Sequence, residues 1–367
     1  MRLFFILPGF VNFSGHDGAF INTLNTFAKT NNYKLEIISS ENNYVNIDYD
    51  HHKIIPDNNK NIFLKVINIF VLIKNFFNFL NLNKINYDDR ILIDGGSYYQ
   101  QIGLALSFLL YRNKIKNIYL YYRIDFEKNF TKKIVMQFIL FSLNYTSKNN
   151  LIILTDSDAL SDLLSQRYKY INYVMPIPHL LTNNINFDKT KNKNSYIKIW
   201  LPGPIRKDKG ISNLHYLLKN IRQKKSNIKI LINEKSKVEF SSLENIEFIK
   251  SNLSRDEYIS LFKKNNIIIL PYNDPSYKTR TSGIFLECIS IGKKVLVSSN
   301  TYMADELIKY GLSDLVVYDW SKIDLITKIK EINLNKNLQL LLFNMRDEYI
   351  TKHGDLAYQK KLKEIFK

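Results

Sequence analysis

Two series of short apolar runs, each separated by stretches of helical period, restrict this chain's fold more than any motif does. The first series reads RLFFIL, KLEIIS, RILID, NIYLYY, LIILT and INYVM. After Pro176 and Pro178 it restarts as YIKIWL, IKILI, IEFI, IIIL, KVLV and DLVV. Brief apolar runs of this kind are strands buried on both faces, and strands alternating with helices make parallel sheets covered on both sides. Two such series predict an α/β chain of two doubly wound, Rossmann-like domains, residues 1–178 and 179–350, followed by a terminal helix over 351–367. The length of 367 residues agrees, because single cores rarely grow past about 250–300 residues. The junction is PIPHLLTNNINFDKTKNKNS, whose prolines block regular structure before a polar stretch without period.

Charge limits the partners. The net charge is +18, roughly +5 up to Pro178 and +13 beyond it, which suits an anionic partner such as nucleotide phosphates or an acidic membrane surface. Nucleic acid is not expected, since no recognition motif or dense Arg/aromatic pattern occurs. The single cysteine, Cys288, allows no intrachain disulfide and fits a reducing, cytoplasmic setting. The opening MRLFFILPGF is too short an apolar run for a signal peptide and reads as a first strand. The segment from Asn61 to Leu82 comes nearest to a membrane helix, but Lys65 and Lys74 interrupt it. It is either a buried domain helix or one that rests on lipid, which would make the protein peripheral on the inner face of the cytoplasmic membrane.

In open α/β sheets ligands bind where strands lead into helices, and four such turns stand out. In PGFVNFSGHDGAF, Gly15 and Gly18 let backbone approach a ligand, His16 is a hydrogen-bonding group, and Asp17 is either an N-cap or a functional acid. LPGPIRKDKGISNL gathers Arg206, Lys207 and Lys209 around two glycines, a cationic turn suited to phosphate. PSYKTRTSGIFLECISIGKKVLVSS sets Lys278 and Arg280 before a helix that starts at Thr281, Ser282 and Gly283. Its free amides and forked guanidinium suit a diphosphate, and Glu287, one helical turn further on, suits a ribose hydroxyl. YLYYRIDFEKN carries Arg123 and Asp125, which share a side if the strand continues, either as a salt-bridged loop or as a site. Asp94 with Gly95 and Gly96 ends another strand with the same two readings. No HExxH, zinc spacing, Walker A loop or GxSxG elbow is present.

The pieces GPIRKDKG, IIILPYN, TSGIFLECISIGKKVLVSS and the acid near YMADEL resemble the nucleotide-sugar glycosyltransferases of the GT-B fold, group 1 and similar to family 4. The similarity runs along almost the whole chain and is most specific from Tyr196 to Glu306. It implies two Rossmann-like domains facing across a cleft, an acceptor-binding first domain, a donor-binding second domain, and a last helix returning to the first. It further implies Arg206 and Lys209 on the donor diphosphate, backbone amides of Ser282 and Gly283 beside them, Glu287 on the ribose, and Gly15 over the phosphates. Thr279 stands where retaining members often have the first Glu of a Glu-x7-Glu pair, and Gly203-Pro204 replaces the usual Gly-Arg. The expected function is hexosyl transfer from a nucleotide diphosphate sugar (UDP or GDP) to a glycan or lipid-linked glycan, in bacterial surface polysaccharide or lipopolysaccharide synthesis. No cofactor and no metal is expected. For an inverting reaction the candidate bases are Asp125, Asp17 and Asp94 in that order, with Arg123 and His16 at the acceptor. The rivals are an epimerase of the same fold and a non-enzymatic binder of anionic lipid or nucleic acid.

Overall fold

Aliphatic runs too short for a helix core and free of charge have one stable place, the middle of a sheet covered on both faces. In the computed structural model such runs build two sheets. The structure describes residues 1–10, 16–43, 49–57, 61–111, 115–125, 130–178, 180–181, 196–203, 206–223, 227–236 and 245–367, without the side chains of 16 and 220–223. Contacts divide the chain into one unit of residues 1–178 with 355–367 and a second of 179–354.

The first unit holds β1 (Arg2–Leu7), β2 (Lys34–Ser40), β3 (Asp50–Ile55), β4 (Arg90–Asp94), β5 (Asn117–Tyr121), β6 (Leu151–Thr155) and β7 (Ile171–Val174). They pair in parallel in the order β3-β2-β1-β4-β5-β6-β7. Between them run α1 (His16–Thr30), α2 (Ile62–Asn83), α3 (Tyr98–Leu110), α4 (Phe130–Thr146) and α5 (Asp158–Arg167). Alternation along β1 sends Phe4 and Ile6 into a core with α2, α3 and α4, and Leu3, Phe5 and Leu7 into a second core with α1. Strand β3 adds a seventh member to the six strands expected in this half. Its sequence DHHKII is half-exposed at the sheet edge, so it lacks the apolar run that marks the others.

The second unit holds β8 (Ile197–Trp200), β9 (Ile228–Asn233), β10 (Ile246–Ile249), β11 (Ile267–Leu270), β12 (Val295–Ser298) and β13 (Val316–Val317), parallel in the order β10-β9-β8-β11-β12-β13. Its helices are α6 (Ile211–Gln223), α7 (Arg255–Lys264), α8 (Gly283–Ser290), α9 (Tyr302–Lys309), α10 (Leu325–Leu334) and α11 (Lys336–Lys352). The final helix, α12 (Asp355–Ile365), belongs to the first unit. There Tyr358, Leu362, Ile365 and Phe366 join the core beside α1. Tyr358 meets Phe20 edge to face at 5.4 Å, Thr23 Oγ1 donates to Asp355 at 2.7 Å, and Arg90 donates to the Phe366 carbonyl at 2.7 Å.

Strand order reverses between β1 and β4 and again between β8 and β11, and such switch points open crevices at the carboxyl ends of the strands. At the second one the turns after β8 and β11 touch. Gly210 has φ +78°, and a Cβ there would lie 1.6 Å from the Pro271 carbonyl oxygen. Asn213 Nδ2 donates to that same oxygen at 2.9 Å, and Asn273 Nδ2 donates to Ser212 Oγ at 3.1 Å. At the first switch point Gln100 Nε2 ties α3 to the carbonyls of Pro56 at 3.0 Å and Pro8 at 3.4 Å.

Gly210→Ala combines left-handed strain with a backbone collision, so a loss of about 2–5 kcal/mol is expected in urea unfolding. Tyr358→Ala empties a fully buried site in the first unit and is expected to cost about 3–5 kcal/mol. Tyr358→Phe is expected to be close to neutral in the same measurement, because no described group hydrogen-bonds the hydroxyl.

Candidate functional site

The turns that Gly210 joins bring the cations of the second unit together. A 3-10 turn at Lys207–Lys209 follows β8, and another at Pro275–Lys278 follows β11, closed by Thr279. The rings of Tyr272 and Tyr277 lie 4.5 Å apart, with Lys209 Nζ 5.8 Å from the first and the Arg280 guanidinium 5.4 Å from the second. Lys209 also passes over Gly203, where a Cβ would come within 3.3 Å of Nζ. Burial pushes the Lys209 ammonium below its ordinary range, and the charges of Arg206 and Arg280 push it further, against Asp208. Among the described residues neither Lys209 nor Arg280 has a carboxylate partner. Arg206 does: its guanidinium grips Asp208 at 3.1 and 3.0 Å and is largely exposed.

Beside these cations α8 begins. Ser282 caps it, accepting from the Phe285 amide at 3.4 Å, and both Ser282 and Gly283 are buried. Amides of the first turn have no carbonyl partner within the helix and carry positive partial charge. Lys209, Arg280 and this helix end therefore present donors and charge from one crevice, which suits a phosphate or diphosphate.

Glu287 lies one turn further, with its side chain 2% exposed. Its carboxylate accepts from the Tyr258 hydroxyl and pairs with Arg255 at 3.5 Å, both from α7. A ribose hydroxyl reaching this carboxylate has to exchange with one of those donors. Tyr258 packs in turn on Trp200 and Phe262, at 5.4 and 5.1 Å. Glu306, the acid of YMADEL, is held by Tyr349 and Lys309 at 2.5 Å each.

In the first unit Asp94, buried at the end of β4, pairs with Arg123. Arg123 lies over the rings of Phe20 at 4.0 Å and Tyr121 at 4.6 Å. Burial works against its charge, yet Asp94, Tyr121, Asp156 and Tyr358 outweigh burial and hold the guanidinium above its ordinary value. Burial raises the Asp94 carboxyl above its ordinary value, and Arg123 opposes that rise. Asp17, in the first turn of α1, is raised to about 6, first by burial and next by the charge of Asp94, with Arg123 opposing. Three buried polar atoms of this cluster, Tyr121 Oη, Tyr358 Oη and Arg123 Nε, have no hydrogen-bond partner among the described residues.

Asp125 stands outside this group. It receives two hydrogen bonds from Arg167, at 2.9 and 3.2 Å. The expectation that Arg123 and Asp125 act from one side is corrected: β5 ends at Tyr121, so the two-residue period does not reach them, and each finds its own partner. Gly15 lies outside the described residues. His16 starts α1, and its side chain lies outside them too. The sequence reading missed Tyr121, Asp156 and Tyr358 around Arg123, and Tyr258 and Arg255 around Glu287. The only hint of Tyr358 was the apolar side of the last helix.

No protein-family model and no curated protein matches the sequence. Solved structures do match. A glycosyltransferase from Rickettsia africae aligns at a TM-score of 0.68 and 12% identity, over 100% of this chain and 97% of its own. The lipopolysaccharide outer core galactosyltransferase WaaB aligns at 0.67 and 12% identity, over 100% and 99%. A Listeria monocytogenes protein assigned as a UDP-N-acetylglucosamine 2-epimerase aligns at 0.63 and 11% identity, over 98% and 94%. At identities this low the likeness is one of fold, and with two Rossmann-like α/β units that fold is the GT-B fold of glycosyltransferases.

Proposed function

We propose that the protein transfers a sugar from a nucleoside diphosphate donor, held in the crevice of the second unit, to a hydroxyl of a glycan or lipid-linked glycan. One observation carries this reading: Lys209, Arg280 and the first turn of α8 meet at the β8/β11 switch point, and among the described residues neither cation forms an ion pair with a carboxylate, Asp208 being held by Arg206. Rupture of the glycosidic bond leaves a growing negative charge on the diphosphate. Two cations and a set of fixed amides stabilise that charge without rearranging, and no metal ion is needed in this reading. Glu287 takes the ribose by exchange with Tyr258 or Arg255. A role in bacterial surface polysaccharide or lipopolysaccharide synthesis is supported by the fold shared with a lipopolysaccharide galactosyltransferase and by the positive charge of the chain.

For an inverting reaction the base is Asp17. Asp94 is neutralised by Arg123 and Asp125 by Arg167, whereas Asp17 has a pKa of about 6, close to working pH. A retaining reaction assisted by the donor phosphate would not need it. The epimerase rival, which shares the fold, predicts turnover of donor with no acceptor present.

A thermal-shift panel of nucleoside diphosphates and their sugars tests the pocket, since a ligand that binds only the folded chain raises Tm. UDP or GDP is expected to stabilise the protein. Lys209→Ala and Arg280→Ala are each expected to weaken binding by about tenfold or more, and Arg206→Ala by less, because Asp208 already occupies that guanidinium. No shift with any nucleotide would remove the proposal.

The pH dependence tests Asp17. If it is the base, kcat/KM falls below pH about 6, and Asp17→Asn abolishes that limb together with most of the rate. Stability changes in the opposite sense. The folded chain holds this proton more tightly than the unfolded one, so ionising Asp17 costs folding energy, not at all below pH about 4 and in full above about 6. Asp17→Asn is therefore expected to raise Tm at pH 8 and leave it unchanged at pH 3.5. An unchanged pH–rate profile would point to the retaining route.

A further inference from the structure

Helices α2, α3 and α4 cover one face of the first unit's sheet, each burying a stripe in the same core: Leu72, Phe76 and Phe79 from α2, Leu104 and Phe108 from α3, Ile139 and Leu143 from α4. Their outer surfaces therefore share one side of this unit, and those surfaces are apolar too. On α2, Phe63 is 71% and Phe70 68% exposed, with Ile62, Val66 and Ile67 beside them. On α4, Phe130, Ile134, Phe138, Phe141 and Tyr145 recur at helical spacing along the exposed face, Phe141 at 62%. Ile102, Leu106 and Leu109 of α3, half-buried, fill the strip between. Soluble monomers rarely expose contiguous apolar patches beyond a few hundred Å².

The charges that the three helices themselves carry are of one sign, although Glu41, which accepts from Asn75, and Asp57 border α2. A chain with 34 acidic residues has none on these three helices, which carry Lys65, Lys74, Lys132 and Lys133. Lys65 and Lys132 reach across to the rings of Tyr99 and Tyr98, at 4.9 and 5.7 Å, while Lys74 and Lys133 are exposed. We propose that this face docks on an anionic phospholipid bilayer, with the phenylalanines in the acyl boundary and the lysines at the headgroups. Aromatic and aliphatic side chains on helices whose only charges are lysines match that surface on both counts. A second copy matches it less well, because a two-fold contact puts like patch on like patch and sets the helices' lysines against one another with no acid on the same helices to pair them. α2 is long and apolar enough to cross a membrane, but it gives Leu72, Phe76, Phe79 and Leu80 to the core, so it lies along the surface. This inference does not depend on the transferase reading.

Co-sedimentation of the full chain with vesicles tests it, using phosphatidylcholine alone and phosphatidylcholine containing one third phosphatidylglycerol. The protein is expected to pellet with the anionic vesicles and to be released as salt is raised. Phe63→Ser with Phe70→Ser and Phe141→Ser removes the apolar contact, and Lys74→Glu with Lys133→Glu reverses the charge. Each set is expected to lower partitioning by at least about tenfold while the circular-dichroism melt stays near that of the parent. Protein that stays in the supernatant with anionic vesicles at low salt overturns the proposal, as does binding that neither set alters. A dimer in sedimentation velocity that the phenylalanine substitutions dissolve would assign the face to a second copy and overturn it as well.

Discussion

The carbonyl of Pro271 sits where a side chain at position 210 would be, and the crevice at the β8/β11 switch point depends on that contact. Only a residue without a Cβ lets the turn after β8 lie against the turn after β11. Asn213 then caps the same carbonyl, and Lys209, one residue before the glycine, is brought beside Tyr272 and Arg280. A backbone contact thus holds like charges near one another in a buried turn, and the Lys209 ammonium is depressed first by that burial and then by Arg206 and Arg280. Such an arrangement persists because the fold over-determines it, and an anion relieves it.

The two crevices answer each other chemically. At the switch point of the second unit the cations about Lys209 outnumber the one carboxylate that acts on it, Asp208, whereas in the first Arg123 is surrounded by Asp94, Asp17, Asp156 and tyrosine hydroxyls. The first arrangement attracts an anion. The second keeps a fixed positive charge inside an acidic, partly desolvated setting, where a carboxyl near pH 6 can exchange a proton. Groups pushed in opposite directions by their surroundings are what general acid–base chemistry requires.

Much of this was legible in the sequence, for identifiable reasons. Strands such as IIIL and LIILT are buried on both faces and announce themselves as apolar runs, while β3, with Asp50, His51, His52 and Lys53 at a sheet edge, does not. The two cationic turns could be found because their chemistry is local: cations, glycine and a helix start within a few residues. What the sequence withheld is pairing over distance. Nothing near Glu287 points to Tyr258, 29 residues earlier, or to Arg255. Asp125 looked the better base until its neighbour across the fold, Arg167, was known.

Helix α12 completes a core whose strands all precede residue 178, while the whole second unit lies between them in the chain. Synthesis proceeds from the N-terminus and domains fold as units, so the later unit has its full sequence before the earlier one has. Until Tyr358, Leu362 and Phe366 are made, the core between α1 and the first sheet lacks the rings that meet Phe20 and Phe27 edge to face. The first unit therefore cannot complete its core until the whole of the second has been synthesised.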